Sequence, residues 1–439
     1  MRCEFKIVVL LTSLLVVCFA EDELKRIHSG FTAQVNDAKI TYALTDYELQ
    51  DITINGQTFK KPIIPFGGLS AEEGDPVLPT VTTFYQVAPN KSYSIEVNIQ
   101  SSEFVENIDI APHQTWDSVT DEITLPFKRN IDLYTSDEAY PQKQASISQT
   151  IVFRDLPVVK VVFTPFRYYP LSRQLEVITA AEIQLVEAAE REPIQRPVRR
   201  SRVFEPLYEA LVVNYSRSTN DEDYQKPSIL YILPNNSSNL MSNLDILFEW
   251  RHKSGYVVNY ASTSTTGTST SSIKNYISNA YSNWTDPPEY VALVGDASGS
   301  YSIPTYFENY SSYNGEGDHP YSQLVGGDIL PEVILGRLSF SSTTELATII
   351  NKTVQYETNP YVSQNWFHSA SMVGDPSSSG ISTIITCENI REIMEFQGYD
   401  DVRTIYNSPF PSQMVSDLNA GLTFFNYRGY WGVSGFGNG

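Results

Sequence analysis

The feature that most constrains the fold is a short, unbroken apolar run, Tyr290–Val294, that stops at Gly295 and Asp296. A run without polar alternation is typical of a strand covered on both faces, as in parallel sheets flanked by helices. A glycine and a carboxylate at the carboxyl end of such a strand stand where open α/β sheets place their ligand crevice. A polar loop follows, before a second apolar run at Glu332–Leu335. The sequence therefore predicts a parallel sheet with a functional edge near Asp296.

The same alternation of apolar runs and amphipathic stretches continues from Pro227 to Tyr427. Asn239 is expected to cap the first helix, and Ser341 or Ser342 a later one. No G-x-G-x-x-G follows the first strand, which weakens a dinucleotide-binding interpretation. The pattern predicts a doubly wound α/β domain over residues 204–439. Its strands are predicted at 229–233, 256–261, 290–294, 332–335, 370–373, 403–406 and 423–427.

The first half of the chain has a different pattern, with period-two runs punctuated by Pro, Gly and Asn and no long helical periodicity. Residues 21–188 are therefore predicted to form an all-β domain. Residues 189–203 are charged, contain proline and have few large apolar groups, which predicts a linker. Two folded units agree with a length of 439 residues.

The amino terminus and the overall charge indicate an exported protein. Arg2 and Lys6 precede the apolar stretch Ile7–Ala20, which is short for a membrane span, so residues 1–20 are predicted to be a cleaved secretory signal. No later stretch is apolar enough to be a transmembrane segment. The net charge of −21 argues against nucleic acid as a partner. Cys387 is the only cysteine after the predicted signal, which excludes an intramolecular disulfide in the mature chain.

Five short motifs in the second half carry a family resemblance: VGD, IPTY, DHPY, GGD and PEVILGR, in this order within residues 294–337. They resemble the catalytic domain of the gingipain-type cysteine peptidases. EGDPVLPTVTTFYQVAP at residues 73–89 and TPFRYYPLSRQLEV at residues 164–177 look like the prodomain of that family. The resemblance implies a bacterial enzyme, secreted or at the cell surface, with a caspase-like α/β/α domain. It also implies an intramolecular prodomain and a protein or peptide substrate, and no required cofactor.

The resemblance also identifies where the catalytic groups should lie. The family carries its histidine in the context N-Y-x-G-H-G, and residues 426–432 here read NYRGYWG, so Tyr430 occupies the histidine's place. A phenol with a pKa near ~10 is a poor base at neutral pH. The family's cysteine ends the next strand, so the nucleophile is expected beyond Gly439 and the domain is expected to be incomplete. Asp375 matches an acidic residue near the histidine; the alternative is a carboxylate that only caps a loop.

Three other residues were weighed for a role in such a site. Cys387 lies on an apolar helical stripe, which favours a buried core residue over a nucleophile. The position of the family's arginine-specificity aspartate falls at Thr383, so that preference is not expected here. His319 lies in DHPY, where the family has the aspartate but no histidine, which makes it a weak candidate for the base.

Two further kinds of site follow from charged residues. The pair Arg199 and Arg200 in the predicted linker is a candidate processing site, because exposed linkers are where nicking concentrates. Four carboxylates on the expected crevice loops could hold calcium, although their spacing fits no defined calcium loop and solvated loop carboxylates are the alternative. They are Asp296, Asp318, Asp328 and Glu332.

Three functions stay open on the sequence. The first is a secreted cysteine-type endopeptidase precursor of the gingipain type. The second is a degenerate relative that keeps the fold and binds a peptide or a surface partner without cleaving it. The third is a sortase-like transpeptidase of a bacterial secretion system, built on the same fold.

Overall fold

A computed structural model describes residues 30–34, 38–65, 67–69, 71–114, 116–117, 122–123, 126–192, 199–310, 313–359, 361–432 and 435–436. The predicted signal, residues 1–20, and positions 193–198 of the predicted linker lie outside these ranges. Within them, no helix has both the length and the apolar character needed to cross a membrane.

The amino-terminal region, residues 30–192, is built almost wholly of antiparallel strands, with one helical turn, α1 (Ile131–Tyr134). One five-stranded sheet has the order β1-β2-β14-β13, with β7 also paired to β14; a second has the order β10-β12-β6-β5, with β11 also paired to β12. Strands β3 and β4, and strands β8 and β9, form separate two-stranded sheets. The strands are β1 Phe31–Ala33, β2 Lys39–Ala43, β3 Glu48–Ile54, β4 Gln57–Ile63, β5 Gly68–Leu69, β6 Pro79–Gln86, β7 Lys91–Val105, β8 Trp116–Asp117, β9 Glu122–Ile123, β10 Ala145–Ile147, β11 Ile151–Phe153, β12 Leu156–Phe163, β13 Phe166–Tyr169 and β14 Gln174–Glu190.

Period-two patterning builds the core of this region. Val159, Val161 and Phe163 are alternate residues of β12, and all three are fully buried in one cluster. Phe166 and Tyr168 extend the same alternation along β13. The period predicted from sequence is therefore the period that fills the space between the sheets. Strand β14 continues to Glu190, two residues past the predicted end of the all-β domain.

A connecting segment, residues 199–226, follows and packs on the amino-terminal region. It contains α2 (Glu205–Leu211), whose Tyr208 lies in one apolar cluster with Phe153 and Leu156. The amide of Val213 donates to the carbonyl oxygen of Phe84 at 2.9 Å. These contacts group residues 204–215 with the β-rich region, whereas the sequence pattern placed them in the α/β domain.

The first α/β unit, residues 228–358, is a parallel sheet covered on both faces. Its strand order is β16-β15-β17-β20, and every pair is parallel. Alternate residues of β15 face opposite layers: Tyr231 contacts the layer of α3 and α6, whereas Leu230 and Ile232 contact the layer of α5. The elements are β15 Ser228–Leu233, α3 Met241–Lys253, β16 Val257–Ser262, α4 Thr263–Thr266, α5 Thr270–Asn283, β17 Tyr290–Val294, β18 Tyr306–Tyr310, β19 Tyr313–Gly317, β20 Ile334–Leu338 and α6 Thr343–Thr358.

The second α/β unit, residues 369–428, repeats the plan with three parallel strands in the order β22-β21-β23. Met372 of β21 packs on the α8 side with Cys387, and Val373 packs on the α9 side with Met414. The elements are β21 Ser369–Gly374, α7 Pro376–Ser379, α8 Ser382–Phe396, β22 Asp401–Ile405, α9 Phe410–Ala420 and β23 Phe424–Arg428, followed by β24 Trp431–Gly432 and β25 Gly435–Phe436.

The predicted α/β alternation is confirmed, with two differences. The parallel strands form two separate sheets instead of one, because β20 pairs with β17 and β21 pairs with β22 and β23. Asn239 does not cap α3, which begins after Leu240; its side chain instead donates to the hydroxyl of Tyr301 at 2.6 Å. The cap predicted at Ser341 or Ser342 is confirmed at Ser342, whose side chain accepts from the amide of Glu345.

Candidate active site

The candidate active site is the carboxyl edge of the second α/β unit. Strand β21 ends at Gly374 and its neighbour β23 ends at Arg428. The amide of Asp375 donates to the carbonyl oxygen of Arg428 at 2.9 Å, which holds the two strand ends side by side. Because α8 and α9 cover opposite faces, the strand order reverses at β21, and such a reversal opens a crevice at the carboxyl ends of parallel strands.

Asp375 is the buried acid of this edge, with only 1% of its surface exposed. Its Oδ1 accepts from the amide of Ser377 at 3.0 Å and from the Ser377 hydroxyl, so the residue caps the short helix α7. Its Oδ2 is buried and has no hydrogen-bond partner in the described part of the chain. The capping role expected as the alternative is therefore present, and it uses one oxygen only. The second oxygen is left to accept from a further donor, which a buried carboxylate requires.

The turn after β23 lies against this carboxylate. Gly429 fits because it lacks a side chain: a Cβ there would lie 3.1 Å from the Cβ of Asp375 and 2.6 Å from the Tyr427 hydroxyl oxygen. That hydroxyl donates to the carbonyl oxygen of Tyr430 at 3.2 Å. Burial raises the pKa of Tyr427, and the nearby charge of Asp375 raises it further. Tyr427 therefore stays a hydroxyl donor in this turn.

Tyr430 follows Gly429 in this turn with its side chain exposed to solvent, and its correspondence to the family's histidine stays a prediction. It is 56% exposed, while the backbone of its turn is held by Tyr427. The structure thus brings Asp375 and the turn at residues 428–430 together. Tyr427 was not among the predicted site residues, and its place in the N-Y-x-G motif was the signal that could have identified it.

Cys387 is a core residue, as its helical stripe predicted. It is fully buried beside Ala370 and Met372, and Asn426 donates to its sulfur at 3.5 Å. Burial raises the pKa of this thiol, which disfavours the thiolate. A nucleophilic role for Cys387 is therefore unsupported.

Thr383 and His319 occupy different parts of the molecule. Thr383 is fully buried in the first turn of α8, where its hydroxyl donates to the carbonyl oxygen of Gly380 at 2.9 Å. His319 is exposed in a short 3₁₀ turn of the first α/β unit, whereas Asp375 belongs to the second.

The four carboxylates considered for calcium are not brought together. Asp318 forms a bidentate ion pair with Arg337: its Oδ2 accepts from Nε at 2.7 Å and its Oδ1 from Nη2 at 2.8 Å. Asp296 accepts from the amide of Ala297, and Asp328 from the amide of Leu330, both at 2.8 Å. Across the described residues, no three acidic, histidine or cysteine side chains converge on a common metal position.

Glu332 is the most perturbed of these carboxylates. It is fully buried, and its Oε2 accepts from the amides of Leu324 and Val325 at 2.6 Å and 3.1 Å. Burial raises the pKa of Glu332 to about 7. Its Oε1 is buried without a hydrogen-bond partner among the described residues. The carboxyl group of Glu332 is thus bound to the amides of the loop at residues 324–325.

Arg199 and Arg200 differ in exposure. Arg199 is exposed, whereas Arg200 is joined to the chain at residues 223–225: its amide donates to the carbonyl oxygen of Asp223 at 2.8 Å, and its carbonyl oxygen accepts from the amide of Gln225 at 3.0 Å. Ser201, the next residue, is fully buried. Processing at this pair stays a prediction.

Comparison with known families shows what class of protein has this architecture. The model named Propeptide_C25 matches residues 26–219, and the model of peptidase family C25 matches residues 222–438. The first match covers the β-rich region with most of the connecting segment, and the second covers both α/β units. The chain is therefore built as a propeptide followed by a peptidase region, and it belongs to the gingipain-type cysteine peptidase family.

The chain is also similar to individual proteins and to solved structures. The chain is 25% identical over 429 residues to Gingipain R2 of Porphyromonas gingivalis, covering 92% of this chain and 56% of that protein. It is 24% identical over 416 residues to Lys-gingipain of the same organism, covering 89% of this chain and 23% of that protein. The chain thus spans about half or less of the length of these relatives. A solved structure of the Arg specific cysteine proteinase gingipain R is 24% identical, with a TM-score of 0.41, covering 51% of this chain and 52% of that chain.

Proposed function

We propose that this chain is the propeptide and part of the catalytic domain of a secreted cysteine-type endopeptidase, which cleaves peptide bonds in proteins. The observation that carries the proposal is the order of the two family matches, propeptide before peptidase, over almost the whole chain. The buried carboxylate of Asp375 beside the turn that aligns with the family's histidine supports it. The two three-layered units support a caspase-like arrangement.

In this proposal Asp375 orients the catalytic base that activates a nucleophilic cysteine. The unpartnered Oδ2 of Asp375 would accept a hydrogen bond from the base, which fixes the orientation of a histidine in cysteine peptidases. Tyr430 aligns with the family's histidine, and its exposed phenol is a weak base at neutral pH. Another residue of the complete protein would then take the proton from the thiol.

The predicted signal at residues 1–20 and the absence of cofactor requirements belong to the same proposal. Export would place the mature protein outside the cell or on its surface, with its propeptide as an intramolecular partner. Sequencing the amino terminus of the exported protein tests this: a start at Glu21 is expected, and retention of Met1 would contradict it.

The activity is tested on the product of the full reading frame, assayed against a library of fluorogenic peptides. Asp375→Asn keeps the cap of α7 but alters the free oxygen, and should lower kcat by about 100-fold or more with little change in KM. Asp400→Asn, an exposed change in the same unit, should leave both unchanged. Equal kcat values for wild type and Asp375→Asn would overturn the role of Asp375.

The identity of the base is tested at Tyr430 itself. Tyr430→His should raise kcat if a lost histidine limits the enzyme, and Tyr430→Phe should leave a slow wild-type rate unchanged. A large loss of kcat in Tyr430→Phe would show that the phenol takes part in the reaction.

The second candidate is a relative that binds peptides without cleaving them, and the observation that favours it is the tyrosine at the histidine position. This function predicts peptide binding by the full-length protein with no hydrolysis, also in Tyr430→His. The transpeptidase alternative is distinguished in the same assay by an added amine. Mass spectrometry would then detect a product that carries the amine in place of the hydrolysed carboxylate.

A further inference from the structure

The tip of one hairpin in the amino-terminal region enters the first α/β unit. Strands β11 and β12 are joined by Arg154 and Asp155, and Phe153 pairs with Leu156 across the turn. Arg154 has a φ of +53°, a left-handed conformation that residues other than glycine rarely adopt. Its side chain is nevertheless fully buried. A strained, buried arginine at a hairpin tip calls for strong interactions that hold it there.

The hydrogen bonds of Arg154 go to the part of the chain that is matched by the peptidase family. The guanidinium group donates to the carbonyl oxygens of Pro287 at 3.3 Å, Pro288 at 3.0 Å and Glu332, and to Oε1 of Gln225 at 3.0 Å. The Tyr281 hydroxyl donates back to the carbonyl oxygen of Arg154 at 2.6 Å. A planar guanidinium with several fixed donors matches such a ring of acceptors, which a lysine ammonium cannot do.

We call the acceptor groups of Gln225, Pro287, Pro288 and Glu332 the guanidinium socket. Aromatic rings and carboxyl groups surround it. The ring of Phe204 lies 5.1 Å from the guanidinium carbon and that of Tyr281 5.8 Å, both within reach of a cation–π interaction. The carboxylates of Glu289 and Glu332 are buried nearby, and each interacts electrostatically with Arg154. The amino-terminal region therefore supplies the cation, the first α/β unit supplies the carbonyl acceptors and both carboxyl groups, and the connecting segment supplies Gln225.

The socket lies at the edge of the sheet opposite to Gly295 and Asp296. Gln225 precedes β15, Pro287 and Pro288 precede β17, and Glu332 precedes β20, so the contacts gather at the amino ends of these parallel strands. The contacts of Arg154 therefore do not occupy the carboxyl edge of this sheet. Asp155, the other residue of the tip, is buried and accepts from the Tyr208 hydroxyl at 2.7 Å, which fixes the hairpin to the connecting segment.

We propose that this socket is the surface by which the α/β part of the molecule recognises its own amino-terminal region, with Arg154 as the anchoring residue. The partner it fits is an arginine at the tip of a β-hairpin. Arg154 then keeps the two parts bound after the connecting chain is cut, so that removal of the propeptide requires a second event besides cleavage. This inference does not depend on peptidase activity.

The test uses the 439-residue chain with the recognition site of a specific protease inserted after Thr219, the last residue of the propeptide match. After cleavage, the two fragments of the wild type should elute together in size-exclusion chromatography. Arg154→Ala should raise their dissociation rate by about 100-fold, since truncating a buried, hydrogen-bonded charge acts mainly on dissociation. Arg154→Lys should raise the dissociation rate by about tenfold, because lysine keeps the positive charge but lacks the planar set of guanidinium donors.

Arg173 provides a matched control. It is an exposed arginine at another hairpin turn of the same region, with a φ of +54°. Arg173→Ala should leave the dissociation rate unchanged. Dissociation of Arg154→Ala within about threefold of the wild type, in a chain whose circular dichroism and melting before cleavage match the wild type, would overturn the proposal. If Arg154→Ala does not fold, Arg154→Lys decides in the same way: a wild-type rate overturns the proposal.

A double-mutant cycle identifies the partner group. Gln225→Ala should raise the dissociation rate several-fold alone and have no further effect when combined with Arg154→Ala, because both changes remove the same hydrogen bond. Fully additive effects would show that Gln225 does not recognise the guanidinium group.

Discussion

At the scale of single residues, Glu332 should make the stability of the fold depend on pH. Burial raises its pKa from 4.5 to about 7; the amides of Leu324 and Val325 and the charge of Arg154 act in the lowering direction, and Asp328 in the raising direction. The folded state therefore binds the proton more tightly than the unfolded chain. The contribution of Glu332 to stability is fully present below about pH 4.5 and is lost as the pH rises through about 7.

Glu332→Gln removes this titration while keeping an acceptor for the loop amides. The variant should be more stable than the wild type at about pH 8, by up to about 3 kcal/mol, and the gain should shrink towards about pH 5. Urea unfolding at the two pH values measures the difference. Lys274, whose pKa is lowered by burial and raised by Glu332, faces the same carboxyl. Exposed Glu316→Gln is the control, and an equal pH dependence in both variants would contradict the prediction.

The thiol of Cys387 should react slowly in the folded chain. It is fully buried, so a reagent cannot reach it, and burial raises its pKa, which disfavours the reactive thiolate. A chromogenic disulfide reagent at neutral pH should label the signal-free chain at least about 100-fold faster in denaturant than without it. Cys387→Ser gives the blank. Rapid stoichiometric labelling under native conditions would show a reactive cysteine and reopen a catalytic role.

At the scale of secondary-structure elements, the end of β17 depends on a glycine. Gly295 has a φ of +147°, and a Cβ there would lie 2.0 Å from the carbonyl oxygen of Tyr301, a backbone atom that cannot rotate away. Gly295→Ala should therefore destabilise the first α/β unit by about 3 kcal/mol or more. Gly336→Ala on neighbouring β20 meets no atom within 4 Å and should be neutral or slightly stabilising. Denaturant unfolding compares the two, and equal losses would contradict the steric argument.

The elements were also what the sequence predicted best, because they depend on local periodicity. The run Tyr290–Val294 is a strand with the bounds predicted, and Ser342 caps helix α6 as expected. Asn239 shows the limit of local reasoning, since its side chain is used by Tyr301, more than sixty positions away in sequence. The position of Asp375 at the end of a buried strand could be predicted from the sequence, and its catalytic role stays a prediction. The contacts of Arg154 could not be predicted, because nothing in the sequence around it indicates the acceptors that surround it.

At the scale of the whole molecule, the sequence predicted that a β-rich region precedes an α/β region. It did not predict that the parallel strands of the α/β region form two separate sheets. Local patterning shows that a segment is a strand covered on both faces, but the partner of each strand is decided by packing between distant residues. The α/β strands therefore appear as one series in the sequence and as two sheets in the structure. The connecting segment was misplaced for the same reason, because Tyr208 packs on Phe153 of the preceding region.

The last prediction concerns where the folded chain is cut first. Cleavage requires several residues around the bond to be accessible, and at Arg200 both main-chain hydrogen-bonding groups are paired and Ser201 is fully buried. Arg217 has 56% of its side chain exposed and a surface ion pair to Glu209. The amide and carbonyl oxygen of the next residue, Ser218, are bonded to one side chain, the Tyr224 hydroxyl, and not to another stretch of main chain as at Arg200. Limited trypsin digestion should therefore first release a fragment that begins at Ser218, identified by amino-terminal sequencing. Arg217→Gln should delay this cut, whereas Arg200→Gln should not. A first fragment beginning at Arg200 or Ser201 would instead support the basic pair as the processing site and show that the contacts of Arg200 open readily in solution.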